Sequence, residues 1–383
     1  MRNLDVLIIG GGMAGASAAY FLARDGLTVG ILERESQPGY HSTGRSAALF
    51  SETYGPAGIR KLSSASRPFL ENPPEGFSDY PLLSPRGVLT LATEEERPKL
   101  LDHAEDSKAN GAHIDILDGK QLEDMVPVLR PGMFALGMLE RDAMDMDVHA
   151  LHQGFLRGFR KHGGDILQNA EVAQLKRNAD GWQVTTRNGD EISARVIVNA
   201  AGAWADEVAK LAGVSEIGLV PKRRTAMMID LPDGVDCDKW PLVVGVEEDF
   251  YFKPDAGRLL LSPADATPVP AQDVQPEDLD IAIAIDRLMT VTEIDVRRPG
   301  ESWAGLRSFV ADGDPVVGYT PEAEGFFWLA GQGGYGIQTA PAMGQLAAAL
   351  LQRKDLPEAL AQLGFDASIV SPERLPDHAM EQA

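Results

Sequence analysis

A single cysteine, Cys237, occurs among the 383 residues of the chain. One thiol excludes a disulfide within the chain and a zinc site built on cysteines, and no metal site is predicted. Long apolar runs are also missing, since none reaches the ~18 residues that a membrane-spanning helix needs. The chain does not open with the basic and apolar regions of a secretory signal. We therefore predict a cytoplasmic protein without an integral membrane segment.

Basic residues are fewer than acidic ones: the chain has 35 Lys and Arg and 57 Asp and Glu, which gives a formal net charge of −22. This charge argues against a nucleic-acid partner and against docking on an anionic membrane by charge alone. The apolar fraction of 44% and the charged fraction of 24% are typical of a soluble globular enzyme. At ~150 residues per domain, the length predicts two or three domains.

The N-terminal residues carry the clearest local pattern. Residues 4–9, LDVLII, are typical of a buried strand, residues 13–25 of a helix that Gly26 closes, and residues 27–33 of a second strand. A strand–helix–strand unit of this length predicts that the two strands are parallel.

Glycines separate the first predicted strand from the helix, with the spacing Gly10-x-Gly12-x-x-Gly15. The first allows a tight turn, the second lets the backbone approach a pyrophosphate, and the third lets the helix pack on the strand. The helix N-terminus then faces the phosphates. Glu33, at the end of the second strand, would accept hydrogen bonds from ribose hydroxyls. The pattern predicts a dinucleotide site but does not distinguish NAD from FAD.

The opening VLIIGGGMAGASAAYFLARDGLTVGILERE, followed by STGRSAA, resembles the D-amino acid oxidase and glycine oxidase family of FAD enzymes. The resemblance continues, in the family's order, through VIVNAAGAWADEVAKLAG, WAGLRSFVADGDPVVGY and GFFWLAGQGGYGIQTAPAMG, and covers essentially the whole chain. Within the family, QPGYHSTGRSAA, NPPEGF, PLLSPR, PKRR and FYFKPDAG are most similar to the FAD-dependent D-arginine dehydrogenases.

This resemblance implies an α/β fold with an α+β second domain. A glutathione-reductase-like FAD-binding Rossmann domain, predicted over residues 1–80, 145–215 and 300–383, would carry a parallel sheet. A substrate-binding domain with a mixed, largely antiparallel sheet would comprise residues 81–144 and 216–299. The implied reaction is oxidation of a D-amino acid to an imino acid by hydride transfer from Cα to flavin N5. The imino acid then hydrolyses to a 2-oxo acid and ammonia, and electrons pass to a quinone, another acceptor or dioxygen.

The resemblance also implies the residues that bind FAD. The pyrophosphate turn comprises Gly10, Gly12, Ala14 and Gly15, and the adenosine end comprises Glu33 and Arg34. The segment passing the flavin comprises Ser42, Thr43, Arg45, Ser46 and Ala47, and the adenine contact is Val172. The second glycine turn comprises Ala201, Gly202 and Trp204, and the loop that opens a helix toward the flavin pyrimidine comprises Gly333, Gly334, Tyr335, Gly336, Ile337 and Gln338.

An enzyme of this kind must hold a substrate carboxylate, which the planar fork of arginine matches well. Arg223 and Arg224 would lie on opposite faces of a strand, so at most one enters the pocket. The resemblance implies that Arg224 binds the substrate carboxylate, with Arg223 as the alternative, and that Arg307 is a second residue binding it. It also implies catalytic-site roles for Tyr54, Tyr251 and Gln338, and the Gly334 carbonyl would accept a hydrogen bond from the substrate amine.

Two positions depart from the D-arginine dehydrogenase pattern. Val88 stands where a glutamate would pair with a guanidinium, and Leu49 stands where a histidine is expected. Leu242, Val244 and Met228 suggest either further apolar lining or a place in the core, while Glu52 is a neighbouring carboxylate that would restore a counter-ion. We therefore predict a preference for neutral, hydrophobic D-amino acids over D-arginine.

The alternatives differ in chemistry. One is a flavin enzyme for glycine, sarcosine, another secondary amine or a 2-hydroxy acid, because an arginine pair holds any small α-substituted carboxylate. The others are an NAD-binding protein without flavin and a non-catalytic flavoprotein. Only the closest resemblance favours a dehydrogenase over an oxidase.

Overall fold

The computed structural model describes residues 2–375, so Met1 and residues 376–383 of the predicted FAD domain lie outside the described part. The strands, in chain order, are β1 Arg2–Ile9, β2 Val29–Leu32, β3 Leu49–Phe50, β4 Leu83–Pro85, β5 Val88–Ala92, β6 Ile114–Asp118, β7 Leu136–Glu140, β8 Met144–Met146, β9 Asp165–Leu167, β10 Val172–Asn178, β11 Gly181–Thr186, β12 Glu191–Asn199, β13 Val220–Ile229, β14 Leu242–Gly245, β15 Tyr251–Asp255, β16 Arg258–Ser262, β17 Ser302–Phe309, β18 Val316–Tyr319 and β19 Phe326–Ala330.

The α-helices are α1 Met13–Arg24, α2 Ala57–Glu71, α3 Arg97–Ala109, α4 Gly119–Met125, α5 Val148–Lys161, α6 Ala205–Ala212, α7 Asp278–Val291, α8 Ala340–Leu351 and α9 Glu358–Gln362. Short 3₁₀ helices cover Gly202–Trp204, Ala367–Val370 and Pro372–Arg374. No helix within residues 2–375 combines the length and the apolar character needed to cross a bilayer.

The first sheet has a parallel centre in the order β9-β2-β1-β12-β19, with β18 and the β10–β11 hairpin antiparallel at its sides. Strand β1 is apolar on both faces. Val6 and Ile8 join one core with α1, α5 and α8, whereas Leu7 and Ile9 join a second core on the other face. Burial on both faces is why the predicted strand has a continuous apolar sequence.

The second sheet runs β17-β13-β16-β15-β14-β5-β7-β6 and is antiparallel except for the β5–β14 pair. Within it, Ala256 and Gly257 both have positive φ, as a two-residue type I′ hairpin turn requires, and they join β15 to β16. A small antiparallel sheet, β3-β8-β4, lies beside the two large ones. The arrangement is the predicted parallel sheet flanked by helices and joined to a mixed, largely antiparallel sheet.

The predicted domain limit at residue 300 separates a strand from the sheet to which it belongs. Residues 300–383 are predicted to lie in the FAD domain, but Ser302–Phe309 pairs along its length with β13 of the second sheet. The domain limits as a whole stay a prediction. The pairing matters because it sets Arg307 and Arg224 on neighbouring strands at the boundary between the two large sheets.

Candidate active site

Three neighbouring parallel strands of the first sheet end at one edge. In the register Ile9↔Asn199 and Asn199↔Trp328, β1 and β12 end level with one another, and β19 continues two residues further, to Ala330. Each is followed by a glycine-containing loop, and ligands of open α/β sheets bind at this carboxyl edge. A cavity of about 470 Å³ begins there and extends to the second sheet.

Most residues predicted to bind the cofactor line this first cavity. They are Gly10, Gly12, Ala14, Glu33, Arg34, Ser42, Thr43, Arg45, Ser46, Ala47, Val172, Ala201, Gly202, Trp204, Gly333, Gly334, Gly336 and Ile337. Tyr335 and Gln338 line a neighbouring cavity instead, and Gly15 lines neither.

The three glycines of the turn have different local requirements. Gly10 has φ +107°, and a Cβ there would lie 2.3 Å from the Ala200 carbonyl oxygen. A Cβ on Gly15 would lie 2.0 Å from the Gly10 carbonyl oxygen, so Gly15 serves close packing rather than the cavity wall. Gly12, with φ −72° and ψ −175°, has a conformation open to any residue, and its Cβ would meet only Thr43 Oγ1, at 3.4 Å.

Glu33 is buried against the turn and holds its backbone. Oε2 accepts from the Gly11 amide at 3.0 Å, and Oε1 accepts from the Glu35 amide at 2.9 Å. Burial raises the pKa of Glu33, although these two N–H groups oppose the shift. At the same end of the cavity, the Arg34 guanidinium lies 4.7 Å from the centre of the Trp204 ring. An adenosine would meet a carboxylate and a flat aromatic surface here.

The segment from Ser42 to Ala47 bridges the two large sheets. Thr43 Oγ1 accepts from the Met13 amide at the start of α1, and Ser42 Oγ donates to the Leu306 carbonyl at 2.7 Å. The Arg45 guanidinium donates to the Ala304 carbonyl and forms an ion pair with Asp273. Ser42 and Arg45 therefore tie the segment to the second sheet while they line the cavity.

The loop after β19 faces the middle of the first cavity. The Gly333 amide donates to Ser308 of β17 at 3.0 Å, so this loop too is attached to the second sheet. Gln332, which the sequence reasoning missed, lines the cavity, and its buried Nε2 has no hydrogen-bond partner among residues 2–375. Helix α8 begins only at Ala340, and Ser66 Oγ already accepts from the Ala342 amide. The glycine loop, rather than the first turn of α8, therefore forms this wall.

A second cavity of about 450 Å³ opens from the first. The residues common to both are Ser46, Ala47, Arg224, Tyr251, Arg307, Gly334 and Ile337. The predicted pocket positions Leu49, Val88, Leu242 and Val244 all line the second cavity, as do Tyr54, Tyr335 and Gln338. Four of the predicted catalytic residues, Arg224, Tyr251, Arg307 and Gly334, thus lie where the two cavities meet, and Tyr54 and Gln338 line the second cavity.

Two guanidinium groups dominate this junction. Arg307 Nη1 donates to the Tyr54 hydroxyl at 3.3 Å, and Arg224 Nε donates to the Asp265 carbonyl at 2.7 Å. A Cβ on Gly334 would lie 3.0 Å from Arg307 Nη1 and 3.2 Å from the Tyr54 hydroxyl, so all three groups are close neighbours. Burial, and then the like charge of Arg307, lowers the pKa of Arg224. Such a site attracts an anion.

Arg223 has the opposite environment, as strand alternation predicts. Its guanidinium is buried and forms salt bridges with Asp265, Glu277 and Asp280. It lines neither cavity. Of the two candidate arginines, only Arg224 is therefore placed to meet a ligand.

Aromatic rings and an amide complete the wall near Gly334. Tyr54 and Tyr335 have ring centres 5.0 Å apart, and burial, together with Tyr54, raises the pKa of Tyr335 to about 12. The side-chain amide of Gln338 is already engaged, because Oε1 accepts from the Ser51 amide at 3.1 Å and Nε2 donates to Ser63 Oγ at 2.8 Å. Gln338 accordingly contributes to the site by holding Ser51 and Ser63 in position.

Two residues considered for the pocket lie outside it, and for Met228 this selects the core role that the sequence left open. Met228 is buried in a cluster with Ala226 and Leu260 and lines neither cavity. Glu52 does not line the second cavity either, since its carboxylate pairs with Arg67. Two carboxylates do line the second cavity: Glu140, which lies directly opposite Val88 in the β5–β7 pair, and Glu248, which is solvent-exposed.

Comparison with known proteins decides the family. The family model "DAO: FAD dependent oxidoreductase" matches residues 5–350. The chain belongs to the DAO family of FAD-dependent oxidoreductases. It is 25% identical over 362 residues to glycine oxidase of Bacillus licheniformis, a match that covers 91% of this chain and 93% of the relative.

Solved structures show the same fold. Glycine oxidase of Geobacillus kaustophilus superposes with a TM-score of 0.83 at 24% identity, covering 99% of this chain and all (100%) of the other. L-Proline dehydrogenase of P. horikoshii superposes with a TM-score of 0.80 at 20% identity, covering 93% and 96%. The predicted fold class is confirmed: an FAD-binding Rossmann domain with a substrate domain.

The cofactor of this oxidoreductase is FAD, which removes the alternative of a nicotinamide-binding protein without flavin. The residues present fit the group. The glycine turn gives room for a pyrophosphate, Glu33 stands where ribose hydroxyls would donate, and Gln332 Nε2 is a buried donor without a partner among the described residues. Which residues contact FAD stays a prediction.

His152 of α5 contacts the glycine turn, and no sequence pattern indicates this contact. Its buried Nε2 lies 2.8 Å from the Gly11 carbonyl oxygen and donates to it, because a carbonyl can only accept. Burial lowers the pKa of His152, so the ring is neutral with its proton on Nε2. Gly11 is thus held at its amide by Glu33 and at its carbonyl by His152.

Replacing His152 with phenylalanine is expected to weaken FAD binding about tenfold, since a lost hydrogen bond of this kind is worth about 1–1.5 kcal/mol. Titration of apoprotein with FAD, followed by flavin fluorescence, measures the change in Kd. His162→Phe, at the exposed end of the same helix, is the matched control and is expected to bind FAD like the wild type. Equal affinities in the two variants would contradict the role of His152.

Proposed function

We propose that the protein oxidises D-amino acids with neutral side chains, using FAD, to imino acids that hydrolyse to 2-oxo acids and ammonia. The observation that carries the proposal is that the guanidinium groups of Arg224 and Arg307 both lie at the junction of the two cavities. Among residues 2–375 neither guanidinium forms a salt bridge, whereas the adjacent Arg223 has three carboxylate partners. Two unpaired, desolvated guanidinium groups favour a ligand that brings its own carboxylate.

The residues at the junction would hold that substrate in a fixed orientation. Arg307 and Arg224 bind its carboxylate, with the Tyr54 hydroxyl as a further donor. Gly334 lies beside Arg307, and its carbonyl accepts a hydrogen bond from the amine. An amine that has released its ammonium proton keeps a lone pair, which forms the C=N bond as hydride leaves Cα. Bound FAD supplies the two-electron oxidation by accepting that hydride.

The side-chain preference is supported by the walls of the second cavity. Leu49, Val88, Leu242 and Val244 present aliphatic groups there. Of the two carboxylates that line this cavity, Glu140 is buried and accepts three hydrogen bonds from residues 51–53, so it is not a free counter-ion. The other, Glu248, is solvent-exposed, where its attraction for a cationic side chain is screened by water. The D configuration is supported by the resemblance of the PKRR and FYFKPDAG segments to D-arginine dehydrogenases.

Glycine or a secondary amine such as sarcosine is the second candidate class of substrate. The glycine oxidase of Bacillus licheniformis, 25% identical across nearly the whole chain, favours it. The arginine pair would hold either class equally well, because both carry an α-carboxylate.

A substrate panel separates the two candidates. Under anaerobic conditions, D-Leu, D-Met and D-Phe are expected to bleach the flavin of the holoprotein, with L-amino acids inactive and D-Arg at least about tenfold slower, given a cost of about 2 kcal/mol for an unpaired cation. Stopped-flow absorbance gives the rates, and readmitting air separates oxidase from dehydrogenase. If glycine or sarcosine reduces the flavin fastest, the second candidate replaces the first; a large D-Arg advantage would contradict the predicted preference.

A further inference from the structure

We propose that Glu140 is a positioning residue that fixes Tyr54 against Arg307 by holding the three residues that precede Tyr54. The inference rests on the proposed function in one respect: Tyr54 and Arg307 are taken to bind the substrate carboxylate. Glu140 itself touches neither guanidinium, and it acts through the backbone of the loop.

The Glu140 carboxylate is at the end of β7 and is only 3% exposed. Oε2 accepts from Ser51 Oγ at 2.8 Å and from Thr53 Oγ1 at 2.7 Å, and Oε1 accepts from the Glu52 amide at 3.3 Å. Three consecutive residues of one loop therefore converge on a single side chain from the second sheet. A buried carboxylate is costly unless it is hydrogen-bonded, so this geometry is strongly preferred once formed.

Tyr54 follows this anchored stretch directly. Its hydroxyl accepts from Arg307 at 3.3 Å, and its ring is packed against Tyr335. On the other side, the chain turns at Gly55, with φ +92°, and the Gly55 carbonyl accepts from Arg60 at 2.8 Å. Tyr54 is thus held between two fixed points, and Glu140 supplies the one that precedes it in sequence.

Gln338 extends the same network to the glycine loop. It accepts from the Ser51 amide, so the loop before Tyr54 is held from the second sheet by Glu140 and from the loop after β19 by Gln338. The two sheets and the Tyr54 loop are thereby coupled through buried hydrogen bonds. Loss of one anchor shifts Tyr54 without touching Arg224 or the FAD turn.

A different role for Glu140 would be that of a counter-ion for a cationic substrate side chain. Oε2 is already shared by two hydroxyl donors, and the weaker 3.3 Å bond leaves only Oε1 with spare capacity. The existing bonds therefore favour the positioning role, and the counter-ion role becomes an outcome of the experiment.

The test compares Glu140→Gln, Tyr54→Phe and the double variant in the holoenzyme. Glu140→Gln is expected to raise KM for D-Leu about tenfold, as for loss of a charge-assisted hydrogen bond, with kcat changed much less and flavin content unchanged. Tyr54→Phe should cost clearly less in the Glu140→Gln background than in the wild type, because both changes act on one hydroxyl. Asp142→Asn, which removes an exposed carboxylate two residues away, is the control and should leave KM unchanged.

Binding of propanoate, followed by the shift it causes in flavin absorption, gives a readout that does not need turnover. Its Kd should rise in Glu140→Gln by the same factor, whichever amino acid proves to be the substrate. If Glu140→Gln loses flavin, Thr53→Val removes one donor to the carboxylate and should show a smaller rise of the same kind. Full additivity with Tyr54→Phe, or a defect confined to D-Arg and D-Lys, would overturn the proposal; the second result would assign Glu140 as a counter-ion.

Discussion

Replacing either Arg224 or Arg307 with methionine is expected to lower kcat/KM for the best D-amino acid by a hundred- to a thousandfold while FAD stays bound. Removing one member of a buried charge pair costs about 3–5 kcal/mol, and each 1.4 kcal/mol is about tenfold. Both guanidinium groups lie at the junction of the cavities without a carboxylate partner among residues 2–375, so the substrate carboxylate would be their partner. Steady-state kinetics of each variant measure the loss.

The chain supplies a matched control in the neighbouring residue. Arg223→Met removes the same side chain from the same strand but on the face that carries Asp265, Glu277 and Asp280. It is expected to lower the thermal unfolding temperature, because three carboxylates lose their partner, and to leave KM near the wild-type value. Arg307→Lys should recover part of the activity, since lysine keeps the charge but not the bidentate fork. A rise in KM for Arg223→Met as large as that for Arg224→Met would contradict the assignment.

The contrast between these two arginines shows how far sequence reasoning reaches. Strand alternation alone places Arg223 and Arg224 on opposite faces, because side chains repeat with a period of two. It does not say which face meets the cavity, since that depends on the pairing of β13 with β17. The strand, glycine turn and helix at the N-terminus, by contrast, were predictable, because they are contiguous in sequence, whereas the support of the turn by His152 was not.

Glu140 and the strand Ser302–Phe309 illustrate what local patterns leave out. Glu140 ends a short strand whose sequence carries no motif, and it reaches the cavity wall only because β7 pairs with β5 in a register that sets it opposite Val88. The family resemblance predicts a glutamate at position 88, where this chain has valine. The neighbouring strand β7 supplies the carboxylate of Glu140 instead. Ser302–Phe309 follows a predicted domain limit, yet the residues it pairs with, Val220–Met227, lie 75 to 89 residues earlier in the chain. Long-range register decided both cases.

Replacing Gly12 with valine is expected to give a folded but colourless protein, with FAD affinity reduced at least about a hundredfold. The φ of −72° and ψ of −175° suit valine, so the backbone itself does not require glycine here. The added side chain would enter the first cavity at the start of α1, where the pyrophosphate is predicted to contact the backbone. Loss of one or two charge-assisted hydrogen bonds of about 1.5–3 kcal/mol each accounts for the factor.

Gly12 is the one glycine of the turn where this loss can be separated from misfolding. A Cβ on Gly10 or Gly15 would lie 2.3 or 2.0 Å from a backbone oxygen, so substitution there disturbs the protein itself. Gly26→Ala is the complementary control: φ is +91° and no atom lies within 4 Å of the added Cβ. It should cost about 1–2 kcal/mol of stability through backbone strain and keep FAD. Flavin absorbance of the purified variants measures the loss of FAD, and thermal unfolding of their apoproteins measures the loss of stability. A yellow Gly12→Val protein with wild-type affinity would mean that the pyrophosphate of FAD does not contact the backbone at Gly12.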